Sequence, residues 1–160
     1  MTNATISRAS TPEDIAAVRR LFGEYAGSLD VDLGYQGFEA ELAGLPGKYA
    51  PPTGALLIAR GSGEAVGCVA LRALDRPGIC EMKRLYVTPG GRGNSLGRRL
   101  VEAIIHEAQR LGYREMWLDA LPSFRAATAL YRSVGFVDMP PYYATPIAGT
   151  VFLRRALSDG

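Results

Sequence analysis

The segment GGRGNSLGRRL, residues 90–100, sets four glycines and three arginines directly ahead of a run of helical periodicity. Glycines let a backbone approach a ligand closely, the first N–H groups of a helix have no partner inside it, and arginines add positive charge. Arg92, Arg98 and Arg99 around such a turn suit a phosphate or pyrophosphate. Two titratable side chains stand in largely apolar runs on either side: Glu81, between Ile79 and Val87, and Tyr131, between Ala126 and Val134.

Two glycine patterns for nucleotides fail at named positions. A dinucleotide fingerprint begun at Gly91 and Gly93 needs glycine where Leu96 stands, and a nucleotide P-loop needs Lys, then Ser or Thr, where Arg98 and Arg99 stand. What the segment resembles is the acetyl-CoA motif of the GNAT superfamily of N-acetyltransferases: Arg or Gln, two residues, Gly, one residue, Gly or Ala. Here it reads Arg92, Gly93, Asn94, Ser95, Leu96, Gly97, with Ser95 where that family usually has glycine. Serine is small and can cap a helix, so the site is expected to survive the change. The run Leu85-Tyr86-Val87 and the later AATALYRSVGF extend the resemblance, which is specific from about Ile79 to Phe136.

The resemblance implies a set of roles. Arg92, Gly93, Asn94, Ser95, Leu96, Gly97 and Arg98 would cradle the pyrophosphate of acetyl-CoA, and the backbone of Leu85, Tyr86 and Val87 would bind its pantetheine arm. Phe124 stands where many members have an asparagine that contacts CoA; it would pack against the arm or fill the core. Tyr131 occupies the place of the tyrosine that protonates the departing thiolate, with a helix-face packing residue as its alternative. A phenol of pKa about 10 stays protonated at neutral pH and can donate to a thiolate whose conjugate acid lies near about 8.5. Glu81 corresponds to a catalytic glutamate of several members, acting as base, directly or through water.

For Glu81 a second reading stays open. Strand alternation puts Lys83 on its face, so an ion pair between them needs no catalysis. Lys83 or, on the opposite face, Arg84 would suit a substrate carboxylate and hence an amino-acid-like acceptor. Acids and aromatics for a cationic amine come from Glu24, Tyr25, Asp30, Asp32, Tyr35, Tyr142 and Tyr143. His106, the only histidine, lies off its helix's apolar stripe and receives no role.

The elements that must position these residues follow from periodicity. A short strand, Ile6 to Arg8, precedes a helix opened by Thr11-Pro12-Glu13-Asp14, and a shorter helix spans Phe38 to Leu45. Ala55 to Arg60, Ala65 to Leu74 and Ile79 to Val87 predict an antiparallel meander. Then come a helix from Ser95 to Leu111, a strand Glu115 to Ala120, a helix Phe124 to Val134, and strands from Phe136 and Val151 to Leu157. The fold class expected is α/β, a mixed, mostly antiparallel sheet flanked by helices in one domain, 1–160.

Composition sets outer bounds. Hydrophobic residues make up 48% and charged residues 21%, ordinary for a folded chain, and a formal charge of +2 gives no argument for nucleic acid. No apolar run reaches the roughly 18 residues of a membrane span, and the start lacks a signal-peptide core, so no membrane association and a cytoplasmic location are expected. Cys68 and Cys80 read as buried reduced thiols, with no metal. The function expected is acetyl transfer from acetyl-CoA to a primary amine, by direct attack in a ternary complex, on a small molecule or amino-acid-like acceptor. The alternatives are a non-catalytic acyl-CoA-binding module and a protein amine as acceptor. Oligomeric state is open, a homodimer being the commonest closed assembly.

Overall fold

The longest buried runs of the chain are strands, and they assemble edge to edge. In the computed structural model, which describes residues 4–157, seven strands form one sheet in the order β1-β2-β3-β4-β5-β7-β6. They are β1 (Thr5–Arg8), β2 (Ala55–Gly61), β3 (Glu64–Ala73), β4 (Ile79–Val87), β5 (Glu115–Ala120), β6 (Val137–Asp138) and β7 (Val151–Ala156). The expected meander is present: β2, β3 and β4 pair antiparallel in sequence order. β4 and β5 pair parallel, joined by a helical crossover, which makes the sheet mixed as expected. The expected domain span, 1–160, includes residues 1–3 and 158–160, which lie outside the described residues.

Helices cover both faces. α1 (Pro12–Gly27) and α2 (Phe38–Ala43) pack on one, around Val18, Phe22, Phe38, Ile58 and Ala70. α3 (Leu96–Arg110) and α4 (Arg125–Ser133) cover the other, around Leu71, Met82, Leu100, Ile104 and Tyr131. The start of α1 has the expected chemistry: Thr11 accepts from the Asp14 backbone, while Asp14 accepts from the backbone of Thr11, a reciprocal cap. In α3, Leu96, Leu100, Val101, Ile104, Ile105 and Ala108 are buried at three- and four-residue spacing, each large aliphatic side chain contributing about 1.5–3 kcal/mol on burial. Gly112, at φ 90°, follows the helix in the left-handed region that ends it.

His106 is exposed, and both cysteines are buried free thiols. Among the described residues no helix is long and apolar enough to cross a membrane, and no three His, Cys, Asp or Glu side chains gather as a metal site.

Candidate active site

Strand β4 departs from simple alternation at one place. Cys68 of β3 lies opposite Tyr86 and Ala70 opposite Lys83, so β4 advances three residues while β3 advances two. The extra residue forms a bulge at Arg84, whose φ is 63°. Before the bulge Glu81 and Lys83 face α1 and α2; after it Arg84 and Tyr86 face the same way, bonding Glu41 of α2 and Glu24 of α1. Arg84 is therefore not on the face opposite Lys83, as alternation implied. One inserted residue reverses the parity of every residue beyond it. Leu85 and Val87 turn toward α3.

The bulge coincides with a parting of strands. β5 pairs with β4 only at Ile79, Cys80 and Glu81, so beyond Glu81 the edge of β4 that faces β5 has no strand partner among the described residues. Into this wedge opens a cleft of about 520 Å³, lined on one side by Leu85, Tyr86 and Val87 and on the other by Phe124, Ala127 and Tyr131. Its floor is the turn into α3, through Arg92, Gly93, Ser95, Leu96 and Gly97. The backbone N–H groups of Gly93 through Arg98 donate to no backbone acceptor among the described residues. Six consecutive unused donors at a helix start form an anion cradle.

Two of the expected cradle residues point elsewhere. Asn94 lines a separate, more polar groove of about 980 Å³ behind the turn, shared with Arg99. The Arg98 guanidinium donates to Ser133 at 2.7 Å and lies 3.7 Å from Glu102, so its side chain is engaged away from the cleft. Ser95 stands at the cap position of α3, but with φ 55° and no side-chain cap bond. Its expected capping is absent: a capping residue is normally extended, whereas Ser95 is left-handed, a conformation that favours glycine.

Tyr131 projects from α4 into the wedge, packed edge-on against Phe136 with ring centres 5.9 Å apart. Burial, with smaller contributions from Tyr25 and Asp119, pushes its phenol well above the ordinary value. Phe124 precedes α4 and stacks edge-on with Tyr25 at 6.4 Å, forming one wall of the cleft. Both residues also line a smaller cavity of about 30 Å³ deeper in the wedge, with Leu85, Tyr25, Tyr35, Gln36, Lys83 and Asp119.

Around that cavity the charged groups are nearly all engaged. Glu81, 1% exposed, accepts from Arg72 Nε at 2.8 Å on one oxygen and from the Tyr142 hydroxyl on the other. Its ion-pair partner is thus Arg72, opposite it across the β3–β4 register, and not Lys83. Burial pushes the Glu81 carboxyl upward, but Lys83, Tyr142 and Arg72 together outweigh it and hold the carboxyl below the ordinary range. Arg84 is closed into a two-bond pair with Glu41, at 2.9 and 3.0 Å, and donates to Gln36 at 2.7 Å. Three of its five N–H donors are thus committed and its charge is compensated by Glu41, although it also lines the small cavity.

The other acceptor-side candidates divide. Tyr25 and Tyr35 line the small cavity, and Tyr142 and Tyr143 reach in from the loop between β6 and β7. Asp32 instead accepts from the Gly34 backbone at 2.7 Å, Glu24 sits near Arg20 at 3.6 Å, and Asp30 is exposed. Sequence reasoning passed over Asp119, which accepts from the Tyr143 hydroxyl and lines the cavity. The available signal was a lone carboxylate near the C-terminal end of an apolar strand, where parallel strands carry ligands.

Residues 17–136 match the Acetyltransferase (GNAT) family. An uncharacterised N-acetyltransferase of Schizosaccharomyces pombe is 43% identical over 157 residues, covering 98% of this chain and 96% of that protein. An IAA acetyltransferase of Azospirillum brasilense is 37% identical over 145 residues, covering 89% and 90%. Among solved structures, an acetyltransferase of Salmonella typhimurium determined with its cofactor acetyl-CoA superimposes with a TM-score of 0.68 at 22% identity, covering 98% of this chain and 95% of that one.

Proposed function

The chain belongs to the GNAT acetyltransferase family, and from that premise we propose that it transfers an acetyl group from acetyl-CoA to the primary amine of a small molecule by direct attack. The observation that carries the reading is the run of unused N–H groups from Gly93 to Arg98, four of whose residues, Gly93, Ser95, Leu96 and Gly97, line the cleft that also holds the free edge of β4 and the Tyr131 side chain. The cradle fits a pyrophosphate, and the unpartnered edge of Leu85 to Val87 fits an amide-bearing arm that can pair with it as a further strand would. Acetyl-CoA supplies the activated acyl carbon.

The residues then have separate tasks. Backbone donors of the cradle and β4 hold the donor in register, which contributes through positioning. A protonated amine that becomes an amide gives up two protons. One ends on the CoA sulfur as the carbon–sulfur bond breaks, delivered by the Tyr131 hydroxyl and restored to it from the amine nitrogen; the other leaves to solvent. Tyr131 is protonated at neutral pH as any phenol is, and burial, which raises its pKa, keeps it so while making it a weaker acid than a free phenol. For Glu81 this reading adopts the ion-pair alternative. Arg72 and Tyr142 occupy both its oxygens, and a carboxyl held below its ordinary pKa is a poorer proton acceptor.

Thiol release from acetyl-CoA over a panel of amines tests the transfer, with thermal stabilisation testing the cradle. Saturating acetyl-CoA should raise Tm, and Tyr131→Phe should lower kcat by roughly 10²-fold or more with Tm little changed. Undiminished turnover by Tyr131→Phe removes the acid. Stabilisation without turnover on any amine leaves a CoA-binding module.

A further inference from the structure

On the side of the sheet that faces α2, Arg72, Arg84 and Lys48 are closely compensated. Arg72 is 2.8 Å from Glu81, Arg84 is 2.9 Å from Glu41, and Lys48 is 3.4 Å from the same Glu41. Lys83 differs. Its nearest carboxylate oxygen, on Asp119, stands 3.9 Å away, beyond hydrogen-bond reach, although both side chains are only 9% exposed.

Each partner has bonding capacity left over. An ammonium has three donors, and that of Lys83 uses one, at 3.2 Å to the neutral amide oxygen of Gln36. Asp119 accepts from the Tyr143 hydroxyl on Oδ2, while Oδ1 accepts from no donor among the described residues. Buried charges left short of partners are costly, so an arrangement of this kind is stable chiefly when a ligand completes it.

The gap opens in a functional direction. Lys83 and Asp119 both line the small cavity, whose other walls, Leu85, Phe124 and Tyr131, are shared with the cofactor cleft.

We propose that Lys83 and Asp119 form a split charge pair that binds the carboxylate and the ammonium of one compact α-amino acid, which makes a carboxylate-bearing amine the acceptor class. The inference rests on the acetyl-transfer reading above and adds the acceptor to it. In an α-amino acid one carbon separates the two charged groups, so the ammonium can lie against Asp119 while the carboxylate lies against Lys83, two contacts made side by side along a pair 3.9 Å apart. A simple alkylamine or a diamine satisfies Asp119 alone and leaves Lys83 without a counter-charge. The cavity of about 30 Å³ has room for about one water, so it must widen to admit the acceptor and favours a small side chain. The wall suited to yield is the short 3-10 segment Leu33–Gln36, which carries Tyr35 and Gln36 and ends at Gly37, φ 71°.

The test is steady-state acetylation of free proteinogenic α-amino acids and of the methyl ester of each, by wild type, Lys83→Met and Lys83→Arg, with Tm measured for each variant. At least one small free acid should be acetylated with kcat/KM at least about 10²-fold above its ester, since a site built around a polar group rejects the analogue lacking it. Lys83→Met should raise KM for that acid at least tenfold and leave the ester within about threefold, and Lys83→Arg should retain part of the preference. Equal use of acid and ester, an equal loss on both in Lys83→Met, or acetylation of alkylamines with no amino acid accepted overturns the inference while the transferase reading stands. An absence of thermal stabilisation by acetyl-CoA, with no amine acetylated, overturns that reading and this one together.

Discussion

Arg84 and Glu41 meet through two parallel hydrogen bonds of 2.9 and 3.0 Å, with side-chain exposures of 2% and 5%. The pair joins α2 to the one residue by which β4 outruns β3, and so fixes the bulge that turns Leu85 to Val87 toward the cleft. Taking Arg84 out of water is repaid only while Glu41 is ionised beside it.

Replacing the acid alone should expose that dependence. Glu41→Gln leaves a buried guanidinium without its counter-charge and should cost about 3–5 kcal/mol, or roughly 10 °C in Tm near neutral pH. The pH dependence has a fixed sign. Burial raises the Glu41 carboxyl, but the Arg84 bonds and charge and the Lys48 charge outweigh it, so its folded pKa lies below the ordinary glutamate value. A depressed carboxylate contributes its stabilisation in full above the unfolded pKa and loses it as pH falls through the folded one. Tm differences between wild type and Glu41→Gln should therefore be level above about pH 5 and narrow below it. A difference that stays constant to pH 3 would remove the ion pair from the account.

Much of this arrangement was written locally in the sequence. Hairpin spacing gave β2, β3 and β4 their order, the Thr11 to Asp14 cap opened α1, and Tyr131 fell on the inward face of its helix. What escaped depends on register. Period-two alternation cannot reveal an inserted residue, so Arg84 was assigned the wrong face and Lys83 was offered as the partner of Glu81. The actual partner, Arg72, is nine positions away, placed opposite Glu81 by the turn between β3 and β4. Asp119 meets Lys83 only because the chain crosses over through α3 to lay β5 beside β4. No window of contiguous residues contains that contact.

Ser95 offers a test that separates capping from backbone conformation. A capping serine replaced by alanine costs about 1 kcal/mol, whereas a serine held at φ 55° without a cap bond should lose under about 0.5 kcal/mol on the same change. Ser95→Gly should go the other way, relieving a left-handed conformation that costs a side-chain-bearing residue about 1 kcal/mol, and so raise Tm by roughly 2 °C. Urea unfolding of the three proteins measures this. A Ser95→Ala loss as large as a cap's would show that the hydroxyl serves the helix start after all.

The Glu81 side chain separates two readings through a pH profile rather than through a rate. If its carboxylate serves Arg72 and Tyr142, Glu81→Gln should lower kcat/KM modestly and leave the pKa values of the profile where they were. A base would instead take the acidic limb with it. The structural role has its own signature. Tyr142 packs against Trp117 at 5.0 Å and Phe152 at 5.3 Å, so Tyr142→Phe keeps the ring contacts and removes only the hydroxyl that reaches Glu81. The stability losses of Glu81→Gln and Tyr142→Phe should then fall short of additive in the double variant by about 1–2 kcal/mol, the coupling of a buried charge-assisted hydrogen bond. Additive losses together with a vanished acidic limb would return Glu81 to the role of base, and would mean that the Tyr142 bond is broken when the acceptor binds.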